Sequence, residues 1–236
     1  GKKLITISGI AKGAGMIRNT MMFLLVFLVT DAAVQPDALQ ACLSASIKQS
    51  FNQITIDGEQ SPNDTALFMA NGMAGNTPIA VRHSGWRIFC NVVNELTHQL
   101  ALMIVADAEG ATKFVAVTVK GTRETSAAEK IARAVATSPL VKTSWFGAEP
   151  NWGRVISAIG SAGVRIKQNC IDITYNNKKF VSGGKATNLS SAVLRKIVRK
   201  KAFSIGIDLH LGKACYTLHT CDYSEKYVHI NSSYMT

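Results

Sequence analysis

Met21 to Val29 is an unbroken run of large apolar residues, closed by Thr30-Asp31. A bilayer crossing needs about 20 such residues, so a run this short has to be buried as a strand or a core helix. Just ahead of it lies Ser8-Gly9-Ile10-Ala11-Lys12-Gly13-Ala14-Gly15-Met16-Ile17, with glycines on both sides of one lysine. Glycine reaches backbone angles that other residues avoid and lets another group come close. Lys12 is therefore expected as a cation held in a loop, suited to a carboxylate or another anion. Taken by itself, the same stretch is an ordinary surface turn with a solvated lysine.

The pattern along the chain mixes both periodicities. Residues 4–8 predict a strand feeding the glycine loop. After Pro36-Asp37, the residues Leu39, Leu43, Ile47 and Phe51 recur every four positions and predict a helix. A short strand is expected over Ile54 to Ile56, a turn at Asp57-Gly58, a polar loop over 58–65 and a helix over Ala66 to Ala74. A longer helix is expected over Ile88 to Val105, with Phe89, Val92, Leu96, Leu100 and Met103 on its buried face. Phe114 to Lys120 alternates apolar and polar residues, as a half-buried strand does. Ser126-x-x-Glu129 has the spacing of a capping box for a helix that Pro139 ends. Ile171 to Tyr175, the turn Asn176-Asn177 and Lys178 to Val181 predict a hairpin. A basic helix follows, capped by Ser190 or Ser191. Strands are expected over Ile205 to Leu209 and Lys226 to Ile230. Strands and helices alternate throughout, so the class is α/β or α+β.

The chain has 236 residues, 47% of them hydrophobic, enough for a substantial core in one or two domains. The start, Gly1-Lys2-Lys3-Leu4, has no apolar signal region. Cys42, Cys90, Cys170, Cys215 and Cys221 are scattered and never spaced as C-x-x-C. Reduced thiols in a cytosol-like compartment are expected. The five histidines converge with no cysteine or carboxylate spacing, so no metal site is expected. The net charge of +11 allows a nucleic-acid partner, and Arg195, Lys196, Arg199, Lys200 and Lys201 are its densest cluster. Without interleaved aromatics that cluster is expected to be a solvated helix face, and neither a nucleic-acid nor a membrane partner is expected.

A set of ordered motifs goes further. Gly9 to Ile17 is followed by Thr30-Asp31-Ala32, Ser50-Phe51-Asn52, Asp57-Gly58 and Asn63-Asp64-Thr65. Then come Asp107-Ala108-Glu109-Gly110-Ala111-Thr112-Lys113, Ser138-Pro139-Leu140-Val141-Lys142-Thr143 and Pro150-Asn151-Trp152-Gly153-Arg154. The last are Cys221-Asp222-Tyr223 and Tyr227-Val228-His229-Ile230-Asn231. In this order the chain resembles the ornithine acetyltransferase (glutamate N-acetyltransferase) family of arginine biosynthesis. It matches the end of that family's α segment and all of its β segment.

The resemblance implies a layered α/β/β/α domain over residues 1–113. It implies a smaller α/β C-terminal domain over 114–225 and a tail, 226–236, that returns to the active site. It implies acetyl transfer from N2-acetylornithine to glutamate, with acetyl-coenzyme A as a further acetyl donor and no other cofactor. It also implies an oligomer containing the upstream α segment, in the cytoplasm or, in a eukaryote, an organelle. The family cuts itself before a threonine that then serves as nucleophile, because a hydroxyl attacks well only beside a base. Aligned without gaps from Lys12 to Asp31, that threonine falls on Phe23 and the preceding alanine on Met22. Thr20 takes the role only with a compensated gap. By the same carry-over Lys12, Glu109, Asn231 and Thr236 are substrate contacts. Ser233 and Met235 stand where the family has an aspartate and an arginine. Asp57, Asn63, Asp64, Asn151 and Arg154 are expected to be structural, as turn carboxylates, loop caps and a buried arginine ion pair. The alternative is a homologue that keeps the fold without the catalysis.

Overall fold

The computed structural model describes residues 3–17, 25–60 and 65–233. It divides into two compact units, Gly1–Ile54 with Glu59–Ile104, and Thr55–Gly58 with Val105–Thr236. Thr20, Met22, Phe23, Asn63, Asp64, Met235 and Thr236 lie outside the described residues.

The first unit is built on a three-stranded sheet. Strand β1 (Ile7–Lys12) pairs antiparallel with β2 (Leu25–Thr30), and β2 pairs parallel with β3 (Thr65–Ala70). The end of the apolar run is therefore a strand. Lys12 is not in the loop: it ends β1 and pairs with Leu25. The stretch 65–70 is a strand rather than the expected helix. Its alanine, leucine and methionine favour a helix locally, but six in-register partners along β2 outweigh that preference.

Two helices cover one face of this sheet. Helix α1 (Pro36–Gln49) starts with proline at its first position and buries Ala38, Cys42, Leu43, Ser46 and Ile47. Helix α2 (Trp86–Ala106) buries Phe89, Val93, Thr97, Ala101 and Ile104. That stripe is turned from the expected one, and Val92 and Met103 face outward. Gly9 lets Leu96 and Leu100 of α2 lie close over β1. Phe89 stacks on Phe68 at 5.9 Å, and Ser46 of α1 donates to Asn94 of α2 at 2.6 Å. The opposite face of the sheet carries Ile10, Leu25, Val29, Leu67 and Met69, all exposed. Among the described residues α2 is the one helix long and apolar enough to cross a membrane; here it is the cover of a sheet.

The second unit is a six-stranded sheet in the order β7-β6-β5-β8-β4-β9. Its strands are β4 (Phe114–Thr122), β5 (Asp172–Tyr175), β6 (Lys178–Ser182), β7 (Lys185–Ala186), β8 (Ala202–Asp208) and β9 (Ala214–Cys221). Only β4 and β8 run parallel; the other neighbours are antiparallel. Val115, Val117, Val119, Ile205, Ile207, Ile173 and Leu218 point to one face and form the core. Helix α3 (Thr125–Ala136) buries Ala128, Ile131, Ala132 and Val135, one helical face, against β4 and β9. Its N-cap is Glu124 with no side-chain cap bond, so Ser126 and Glu129 are not a capping box. Glu129 instead pairs with Arg133 one turn on, at 2.9 Å.

Helices α4 (Pro139–Phe146) and α5 (Trp152–Gly160) were not legible in the sequence pattern. Pro139 opens a helix as much as it closes one. Ser138 caps α4 by accepting the Val141 amide, and Asn151 caps α5 by accepting the Arg154 amide at 3.1 Å. Ser190 caps α6 (Ser191–Val198), which buries Leu194, Ile197 and Val198 and leaves its basic side chains exposed. Ile54 makes an isolated bridge where a strand was expected, and the Thr55 amide donates to the His219 carbonyl at 2.9 Å. Lys226 to Ile230 is helical, within α7 (Glu225–Ser232), because Ser224 accepts the Tyr227 amide and caps the turn.

Candidate functional site

In the second unit several motifs converge on one place. The turn after α2 carries Glu109, Gly110, Thr112 and Lys113. Gly110 has φ of 65°, and a Cβ there would run into the Tyr227 backbone. Only glycine fits that approach. Ser224 donates from its hydroxyl to the Gly110 carbonyl at 2.5 Å. Asp222, 1% exposed, accepts the amides of Thr112 and Lys113 at 2.8 and 2.9 Å and the Thr112 hydroxyl at 2.5 Å. These bonds tie the 109–113 turn to the end of β9 and the start of α7. They also place Glu109 against Asn231, which donates from Nδ2 to Glu109 Oε2 at 3.2 Å.

Asp57 reaches the same cluster. Tyr227 donates to its carboxylate at 3.3 Å, and Tyr223 donates to its backbone carbonyl at 3.0 Å. The two tyrosine rings stack at 4.7 Å. Burial and the charge of Asp57 hold the Tyr227 hydroxyl well above its ordinary pKa, so it stays a donor.

Beneath them lies Lys142, entirely buried. Its Nζ donates to Thr220 Oγ1 at 3.0 Å and to the Cys221 carbonyl. It sits 4.6 Å from the Tyr223 ring centroid. Burial lowers its pKa; the Cys221 thiol and the carboxylates of Asp222 and Asp57 oppose that shift. Burial also pushes the Cys221 thiol up, which Lys142 partly offsets. A buried lysine announces itself in no periodicity, and the sequence reading gave Lys142 no role beyond its motif.

The structure thus brings Glu109 and Asn231 together. Lys12 lies on β1 of the first unit, exposed. Asn151 is structural, as expected. Arg154 is not a buried ion pair: it donates to the Leu140 carbonyl at 2.7 Å and so closes α4 against α5. Among the described residues no cluster of histidine, cysteine and carboxylate has metal-ligand geometry. A cavity of about 560 Å³ in the first unit and one of about 400 Å³ on the outer sheet face of the second are lined by none of Lys12, Glu109 and Asn231.

This architecture is the α/β fold of a known family. Residues 1–236 match the ArgJ family throughout, and the chain belongs to that family. It is 45% identical over 232 residues to the arginine biosynthesis bifunctional protein ArgJ of Geobacter sulfurreducens, covering 98% of this chain and 59% of that protein. It is 40% identical over 236 residues to the ArgJ protein of Bacillus anthracis, covering 100% of this chain and 58% of that one. The chain therefore spans about three-fifths of the length of these relatives. The crystal structure of ArgJ from Bacillus halodurans superposes with a TM-score of 0.82 at 34% identity, covering 89% of this chain and 98% of that chain. The fold is the α/β ArgJ fold, as the resemblance implied.

Proposed function

We propose that this chain is the larger part of an acetyltransferase that moves acetyl from N2-acetylornithine to glutamate, and that Glu109 and Asn231 bind the amino-acid portion of the substrate. The observation that carries this is the Glu109–Asn231 hydrogen bond at 3.2 Å, which joins two separately carried-over positions across 122 residues of chain. A carboxylate with an amide beside it suits an ammonium group and its neighbours. Lys12 and Thr236 are further substrate contacts on the strength of the family resemblance alone. No cofactor takes part, and acetyl-coenzyme A serves as a second donor. The 226–236 tail is the part that returns to the active site, and the protein works as an oligomer in the cytoplasm or, in a eukaryote, an organelle.

The bare apolar face of the first unit's sheet supports a second layer. Ile10, Leu25, Val29, Leu67 and Met69 form a contiguous patch of a kind that solitary soluble domains rarely expose. The upstream α segment of the family, supplied as further chain, is the layer that covers it and completes the α/β/β/α sandwich.

One observation favours a second reading, a homologue that folds without catalysing. Phe23 stands at the ungapped nucleophile position, and phenylalanine can neither attack nor cut the chain. Thr20 recovers the role only with a gap. The test is co-expression with the α segment of a relative, comparing this chain with the Met22→Ala, Phe23→Thr double variant. The double variant is expected to cleave before the new threonine and to transfer acetyl. The unaltered chain is expected to stay whole by intact mass. A fragment beginning at Thr20 would restore Thr20 as the nucleophile, and a folded but inert double variant would favour the non-catalytic homologue.

A further inference from the structure

We propose that Lys142 is the positioning residue of this site: its buried ammonium fixes residues 220–223 and, through Asp222, sets the place of the 109–113 turn. That this turn binds substrate rests on the function proposed above; that Lys142 places it does not.

Burying a lysine is costly, and the carboxylates that face this one would be left uncompensated without it. The charge therefore does more than fill space. What the charge touches is specific. Thr220 and Cys221 accept hydrogen bonds from Nζ, and the ring of Tyr223 lies over it. The Lys142 carbonyl accepts the Tyr223 amide at 3.5 Å. One residue of α4 thus grips positions on both sides of Asp222 in the chain. The charged groups facing Nζ are the carboxylates of Asp222 and Asp57, with the Cys221 thiol.

Asp222 carries the effect outward. Held at the end of β9, its Oδ1 receives the amides of Thr112 and Lys113 together, and its Oδ2 the Thr112 hydroxyl. If the strand end loosens, those two amides lose their acceptor and Glu109 loses its fixed distance to Asn231. The Thr112 and Lys113 amides are therefore reporters that require no catalysis.

The experiment is hydrogen exchange on this chain with Lys142→Met, which keeps the stem and removes the charge. Exchange at the Thr112 and Lys113 amides is expected to quicken about tenfold or more while core amides of β4 and β8 change less. The thermal midpoint is expected to fall, because Asp222 and Asp57 lose the cation that faces them, so the change at the two amides must exceed the even loss that a merely destabilised fold would show. Val155→Ala, a truncation in the same core away from residues 220–223, serves as the control: it lowers the midpoint without singling out those two amides. A folded Lys142→Met chain with both amides as protected as before overturns the proposal, as does protection falling evenly with the midpoint. Should the methionine chain not fold, Thr220→Val decides, because it deletes one acceptor of Nζ and keeps the volume. Faster exchange confined to Thr112 and Lys113 supports the proposal, and unchanged amides leave Lys142 with a structural part only.

Discussion

Tyr227 donates its hydroxyl to the carboxylate of Asp57 at 3.3 Å, from a position 170 residues further along the chain. Asp57 is 8% exposed, and the Tyr223 hydroxyl binds its carbonyl as well. The turn at residue 57 and helix α7 are thereby made parts of one polar cluster. Tyr227→Phe deletes the bond and little else. Because Tyr227 is only half-buried, the expected loss is about 1 kcal/mol of unfolding free energy, read as a lower urea midpoint with unchanged slope.

Gly110→Ala is expected to be more severe. The residue has φ of 65°, and the added Cβ meets the Tyr227 backbone rather than a side chain that can turn away. Strain of roughly 1–3 kcal/mol is expected, and α7 must shift to relieve it. A melting curve measures the first effect. Loss of whatever ornithine or N-acetylornithine binding calorimetry finds in the parent chain measures the second. Glu109→Ala should abolish that binding without lowering stability.

Asp172 sits on the outer face of the second unit's sheet. Burial alone would raise its pKa, but the Lys179 ammonium, the Gly183 amide and His210 hold it down at about 2, below its ordinary 3.8. A depressed carboxyl stabilises the fold above its unfolded value, and the contribution fades as the pH falls from 3.8 through 2. Lys179 and His210 are about half exposed, so solvent reduces the contribution to about 1 kcal/mol. Asp172→Asn should melt lower than the parent at pH 6, with the two curves converging by pH 2.

Leu67→Lys with Met69→Lys tests the open sheet face. Both side chains already face water, so the chain alone should lose less than about 0.5 kcal/mol. Co-purification with the upstream segment of a relative should fail. Retained pairing would place that segment elsewhere.

How much of this could be read in the sequence follows from what each element buries. β4 was legible because Val115, Val117 and Val119 face the core while Ala116 and Thr118 do not. β3 was not, because Leu67 and Met69 on its outer side are as apolar as Phe68 on its inner side, which hides the period of two. α7 buries no residue and so has no stripe; its helix is set by the Ser224 cap. α4 and α5 are short, and their signals are caps, Ser138 and Asn151, rather than long periodic runs. The pairing of Glu109 with Asn231 was reachable only through the family resemblance, since 122 residues separate them. The enclosure of Lys142 was not legible, because nothing in a linear pattern marks a cation that a strand end will enclose.

Thr55–Gly58 belongs to the second unit, although the residues on either side of it belong to the first. During synthesis this short stretch emerges long before its partners. Asp57 must wait for Tyr223, 166 residues later, which at about 5–20 residues per second is roughly 8–33 s on the ribosome. Ile56, fully enclosed in the finished fold, lies in the same stretch, and its carbonyl faces the Cys221 thiol, which is made 165 residues later. The nascent chain therefore carries this short stretch unfinished while those residues are made.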